Sequence, residues 1–163
     1  MHLLISDANI LIDLEEGALL THLFQLPFTF QVPDILFYEE LETQHAHLLG
    51  LGLTLGELTP ETLIYALELT TRVRGPSRND CFALALARQQ RCHLLSGDMA
   101  LRKLAKAEAV PVNGTLWVVE QMVAHSIISL PDAEQAYARM RASARRLPWD
   151  LVQKSLEALK AAQ

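Results

Sequence analysis

No lysine or arginine occurs before position 72. The first 71 residues carry eleven acidic side chains. All fourteen basic residues lie beyond, against eight acids, so that part is +6 within a chain of net charge −5. This asymmetry allows a basic surface beside an acidic one, and overall acidity argues against indiscriminate coating of nucleic acid, so contact with RNA or DNA should be local. Cysteine is scarce: Cys81 and Cys92 are the two, without Cys-x-x-Cys spacing, which fits a reduced, buried pair in a cytoplasmic protein. No apolar run approaches the roughly 18 residues a membrane helix needs, and acidic residues follow the start too soon for a signal peptide. The expectation is a cytoplasmic protein with no membrane contact. Gly50, Gly52 and Gly56 are not a phosphate loop, because neither Gly-x-Gly-x-x-Gly nor Gly-Lys-Ser/Thr is present.

What is there suits a single domain with a real core: 163 residues, half of them apolar, and no low-complexity tract. The chain is organised around its opening stretch, where the apolar run Leu3-Leu4-Ile5 stops at Asp7 and helical apolar spacing begins (Ile10, Leu11, Leu14), ending near Gly17. Residues 28–32 are rich in β-favouring types and predict a second strand. Pro33 and Asp34 open a helix over about 34–49. A third strand is expected within 51–58. Thr59 and Pro60 start a helix to about 74, and Ser77 caps one over about 78–90. Residues 93–96 predict a fourth strand, followed by a helix from Asp98 to about 108. Residues 110–112 make a short fifth strand, and Gly114-Thr115 leads into another helix. Strands alternating with helices call for a parallel sheet covered on both faces. Beyond Ser129 two further helices, 132–146 and 149–162, read as an appendix packed on a core of about 1–125.

Acids recur at equivalent places. Asp7 follows strand one and Asp98 follows strand four. Asp80 heads the apolar stripe of its helix (Ala83, Leu84, Ala87), where a solvated carboxylate does not belong. Glu40 or its neighbour Glu39 lies on the helix after strand two. Each has a bland alternative: Asp7 and Asp98 as helix caps, Asp80 as a charge on a helix N-terminus, Glu40 as a surface acid. Gathered at one sheet edge they would repel and raise one another's pKa, which a hard divalent cation relieves. Mg²⁺ or Mn²⁺ fits oxygen ligands and open positions for phosphate, and no His or Cys lies near these acids in sequence to suggest zinc. Such a site suits phosphodiester hydrolysis.

Asp7-Ala8-Asn9-Ile10-Leu11-Ile12, Glu40-Leu41, Ser77-x-x-Asp80 with Ala83-Leu84-Ala85-Leu86-Ala87, Leu95-Ser96-Gly97-Asp98-x-x-Leu101-Arg102 and Gly114-Thr115-Leu116-Trp117 together resemble the PIN domain, in order, over about residues 1–125. The last segment resembles its prokaryotic, VapC-like branch. The resemblance implies a three-layer α/β/α Rossmann-like fold and a Mg²⁺/Mn²⁺-dependent ribonuclease, as in the toxin half of VapBC-type toxin–antitoxin pairs. It also implies a homodimer and a protein antitoxin as partners. Carried over by position, Asp7, Glu40, Asp80 and Asp98 form the acidic set, with Asp7, Asp80 and Asp98 on the metal and Asn9 as the polar residue that orients it. Glu40 is preferred to Glu39 because the family motif places Leu directly after the acid. Where many members carry a further acid, this chain has Asn113 and Thr115, which leaves one ion or two open. The helices from 132 on are outside the resemblance.

Arg72, Arg74 and Arg78 flank the helix carrying Asp80, and Arg102 follows Asp98. They are candidates to hold an RNA backbone, or simply solvated charges. Arg139, Arg141, Arg145 and Arg146 could bind RNA as well, but the favoured reading is a solvated or acid-paired helix face. His45 and His47, two apart on a helix, should point to different faces. A haloacid-dehalogenase-type phosphatase needs Asp-x-Asp, and Asn9 stands where its second Asp would be. The alternative from another class is a PIN-like binding module without catalysis.

Overall fold

The computed structural model describes residues 2–163. Strand β1 (His2–Ser6) is the middle of a five-stranded sheet in the order β3-β2-β1-β4-β5, every pair parallel. The others are β2 (Phe28–Pro33), β3 (Thr54–Gly56), β4 (His93–Leu95) and β5 (Val112–Asn113). The side chains of Leu4, Ile5, Phe30, Val32, Leu94 and Leu95 are buried, as expected of strands covered on both faces. The chain lays down β1, β2 and β3 outward on one side, then crosses back to put β4 on the other. The reversal opens a crevice at the carboxyl ends of β1 and β4, where Ser6 stands beside Leu95.

Helix α7 (Arg78–Gln90) lies across β1, β2 and β4, and α6 (Pro60–Arg72) packs on it. Sandwiched this way, α7 buries every residue from Cys81 to Ala87. Elsewhere α1 (Ala8–Glu16), α9 (Thr115–Ala124) and α10 (Leu130–Ala142) pack together, and α11 (Trp149–Ala161) rests on α9 and α10. The remaining helices are α2 (Leu20–Leu23), α3 (Asp34–Leu36), α4 (Glu42–His45), α5 (Leu48–Leu51) and α8 (Met99–Ala107). The result is the expected three-layer α/β/α architecture with C-terminal helices. Among the described residues, no helix is long and apolar enough to cross a membrane.

Three expectations change. The helix over 34–49 is broken: a π-helical turn occupies Phe37–Leu41 and the chain pauses before α5. The second C-terminal break comes earlier than Pro148 suggests. Helix α10 stops at Ala142 and Ala144 takes a left-handed φ of 59°, so Arg145 and Arg146 lie in a connection rather than on a helix. The C-terminal helices are also more than an appendix. Ala133, Ala136, Tyr137, Met140, Leu147 and Val152 belong to the same buried cluster as Ile10, Leu11 and Leu14. Gly17 is part of that fit, since a Cβ there would stand 2.6 Å from Met140 Cε.

Helix α10 is capped at its start. Ser129 Oγ accepts from the Asp132 amide, and Asp132 Oδ2 accepts in return from the Ser129 amide, a reciprocal capping box. Replacing Ser129 by Ala is expected to cost about 1 kcal/mol in urea denaturation; no loss would mean that packing alone holds α10.

Candidate active site

The crevice between β1 and β4 receives the N-termini of three helices, each with an acid. The Asp7 amide donates to the Leu95 carbonyl (3.0 Å), and Asp7 Oδ1 accepts from the Ile10 amide (3.0 Å), capping α1. Asp80 Oδ2 accepts from the Ser77 amide (2.9 Å) at the start of α7. Asp98 Oδ2 accepts from the Leu101 amide (2.8 Å) to cap α8, and its own amide donates to the buried Ser96 hydroxyl (3.1 Å). The capping alternative therefore holds for one oxygen of each acid. For Asp7 it does not account for the other: Oδ2 is buried and no hydrogen bond of good geometry reaches it, the Ser96 hydroxyl favouring the charged carboxylate by less than burial disfavours it.

Burial dominates the electrostatics. Desolvation pushes Asp7 up from an ordinary 3.8 to about 7 against the pull of Ser96 and the Ile10 amide, and the negative charges of Asp80 and Asp13 add to the rise. Asp80 is raised too, first by burial and also by Asp98. Asp7, Asp80 and Asp98 thus feel one another in sequence. Among the described residues, however, no three His, Cys, Asp or Glu side chains gather tightly enough to cage an ion by themselves. The expected trio of metal ligands is not drawn together as a closed shell, because each carboxylate turns one oxygen onto a backbone amide of its own helix. The donor set still fits Mg²⁺ or Mn²⁺. A buried, unpartnered carboxylate oxygen needs a cation or a proton, and Mg²⁺ is commonly held by one or two carboxylates, with waters and phosphate completing its shell.

The π-helical turn presents Glu39 and Glu40 to the first turn of α7. Glu39 takes both contacts of Arg78 Nη2 (2.5 and 2.8 Å), whereas Glu40 Oε2 accepts from the neutral Asn79 amide (2.9 Å). Glu39 is compensated by a guanidinium and Glu40 is not, which favours Glu40 as the acid with charge to spare. A π-turn inside a helix is frequent at functional sites.

Of the RNA-backbone candidates, Arg72 pairs with Glu108 (3.3 Å) and Arg78 with Glu39. Arg102 Nη1 donates to the Ser96 carbonyl (3.0 Å). Gly114 makes room for that guanidinium, since a Cβ there would stand 2.8 Å from Arg102 Nη1. Arg74 is exposed. Three of the four cations are thus engaged within the chain. His45 and His47 do not diverge as expected: both face Glu15, at 3.1 and 3.6 Å, because α4 ends at His45 and helical spacing no longer applies.

Asp13 is not among the sequence candidates, and Arg145, read only within a solvated or acid-paired group of arginines, is acid-paired. Asp13 is 6% exposed and accepts from the Thr115 hydroxyl (2.8 Å) and from Arg145 Nε (2.6 Å). Asp13 stands three residues after Ile10, on the same apolar face, which is the signal that singled out Asp80. For Arg145, nothing local in the sequence points to a partner 132 residues away.

A family model described as a PIN domain matches residues 3–161. The match extends through the C-terminal helices that the motif resemblance left outside. No curated protein matches the chain.

Proposed function

The chain belongs to the PIN domain family, whose members are generally nucleases, and from that membership we propose that it is a metal-dependent endoribonuclease. The observation that carries this reading is the buried Asp7 carboxylate, with Oδ2 unpartnered and a pKa near 7, at the sheet's topological switch point. Asp7 would hold Mg²⁺ or Mn²⁺, with Asp80 and Asp98 contributing directly or through water and Glu40 closing the acidic rim. When bound, the ion would activate a water and offset charge on the phosphorus. The protein's own part is to exclude bulk water from Asp7 and to hold Asn9, two residues on, and Thr115, hydrogen-bonded to Asp13 of the same helix. The amino ends of α1, α7 and α8 favour an anionic backbone nearby.

The partners proposed on the same ground are RNA as substrate, a second copy of the chain, and a protein antitoxin of the VapBC type. Ile64 and Leu67 expose apolar side chains one turn apart on α6, a start for an interface. Cys81 and Cys92 are free thiols, consistent with a cytoplasmic setting.

A catalytically silent PIN-like binding module is the second reading, favoured by Asn113 and Thr115 standing where many family members carry a further acid. End-labelled single-stranded and hairpin RNAs incubated with Mn²⁺ or Mg²⁺ separate the two. Cleavage that EDTA abolishes is expected; RNA retained intact by the protein, with and without metal, would establish the binding module instead.

A further inference from the structure

The C-terminal segment enters the site through one side chain. Arg145, in the connection after Ala144, donates from Nε to Asp13 Oδ1 at 2.6 Å. Its Nη2 lies 3.4 Å from Asn9 Oδ1 and 3.5 Å from the Asn9 carbonyl. The other Asp13 oxygen accepts from Thr115 Oγ1 at 2.8 Å. Asn9 and Asp13 are one turn apart on α1, so the guanidinium spans the face of that helix that follows Asp7. The pair is well sheltered, with side-chain exposures of 25% for Arg145 and 9% for Asp13.

Asp13 is the additional acid nearest in kind to Asp7: it is buried, and it lies on the helix that Asp7 caps. Left unpaired, it would be a second buried anion and would attract a second cation. Both its oxygens are already taken, one by a fixed positive charge and one by a hydroxyl. An arginine suits this task because its planar fork reaches Asp13 and Asn9 together and stays charged at any working pH.

We propose that Arg145 is a positioning residue of the site: it holds Asn9 and Asp13 in place and supplies the charge that a second ion would bring, so that the site works with one divalent ion. This rests on the ribonuclease reading. Set in the connection between α10 and α11 rather than on the sheet, Arg145 makes the C-terminal segment part of the active site.

The test combines Mn²⁺ titration calorimetry and steady-state RNA cleavage on the full chain, for wild type, R145Q, R145K, D13N and D13N/R145Q. Wild type is expected to bind one Mn²⁺ per chain. R145Q should lose about 10–100-fold in kcat, as for supporting residues of metal sites, with KM within about twofold, and should take up a second Mn²⁺. R145K should recover part of the kcat, and D13N/R145Q, which has no spare carboxylate, should return to one ion even if R145Q folds poorly. Two ions in wild type, an R145Q loss confined to KM, or R145Q matching wild type in both kcat and stoichiometry would each overturn the inference while leaving the ribonuclease reading intact. A wild-type chain that neither binds Mn²⁺ nor cleaves RNA overturns that reading and the one-ion assignment with it.

Discussion

Replacing Asp7 by Asn is expected to lower divalent-dependent RNA cleavage by more than about a hundredfold, since even supporting partners of metal ligands cost 10–100-fold, and to flatten the pH dependence of stability in the metal-free protein. The fold should survive, because Asn caps a helix about as well as Asp and the Ile10 amide keeps an acceptor. The sign follows from the raised pKa. Between an ordinary 3.8 and about 7, the folded protein keeps a proton on Asp7 that the unfolded chain has released. The Asp7 contribution is therefore fully present below pH 3.8 and is lost as pH rises to about 7 and beyond, by about 4 kcal/mol at 1.36 kcal/mol per pH unit. D7N has no such loss. Its gain above pH 7 is smaller than the slope difference, since an amide nitrogen in place of Oδ2 costs about 1–3 kcal/mol if it finds no acceptor. Asp80 titrates in the same sense, while Glu108 and Asp132 are lowered and act oppositely at lower pH. The difference between wild type and D7N in urea denaturation from pH 4 to 8 isolates Asp7. Parallel profiles would mean that Asp7 is solvated and ionised in the folded chain, and undiminished cleavage by D7N would remove it from the chemistry.

Deleting residues 129–163 is expected to leave a fragment without a cooperative thermal transition. The sequence reads these residues as an attachment to a core of about 1–125. In the folded chain Ala133, Ala136, Tyr137 and Met140 are at most 3% exposed and fill the surface of α1 and α9. A single large-to-small change in such a site, Met140→Ala for instance, costs about 2–5 kcal/mol, against a total stability of about 5–15 kcal/mol for a domain. Removing the whole layer exceeds that total, and it also strips Asp13 of Arg145, leaving a buried anion unpaired. Far-UV circular dichroism against temperature, with a dye that binds exposed apolar surface, reads the outcome. A fragment that melts cooperatively within a few degrees of the intact chain would make the C-terminal helices a true appendage.

The strengths and limits of the sequence are visible residue by residue. Asp7 could be placed at a strand end because a buried strand writes itself as a continuous apolar run that must stop where the chain meets the crevice. Asp80 could be aimed inward because one misplaced carboxylate on an apolar stripe is conspicuous. The same stripe argument reaches Asp13, but Glu15 and Glu16 beside it make that turn of α1 look uniformly solvated. Helical spacing points His45 and His47 to different faces, and it fails where the helix stops. The π-turn over Phe37–Leu41 leaves no mark in the pattern, since one extra residue in a turn shifts apolar positions no more than ordinary irregularity does. Glu39 and Glu40 are separated by what faces them, Arg78 and Asn79, and that depends on how α7 docks.

By itself the sequence determined the alternation of strands and helices, the parallel three-layer fold and the strand-end and helix-start positions of Asp7, Asp80 and Asp98. These follow from local spacing: apolar runs, helical periodicity and caps act over a few residues. Only the tertiary structure decided that β4 returns beside β1, that Asp7 keeps a buried oxygen without a partner, and that Arg145 reaches Asn9 and Asp13 from the far end of the chain. Those outcomes depend on burial and on charges meeting across more than a hundred residues, and desolvation is a property of the packed molecule rather than of any segment of it.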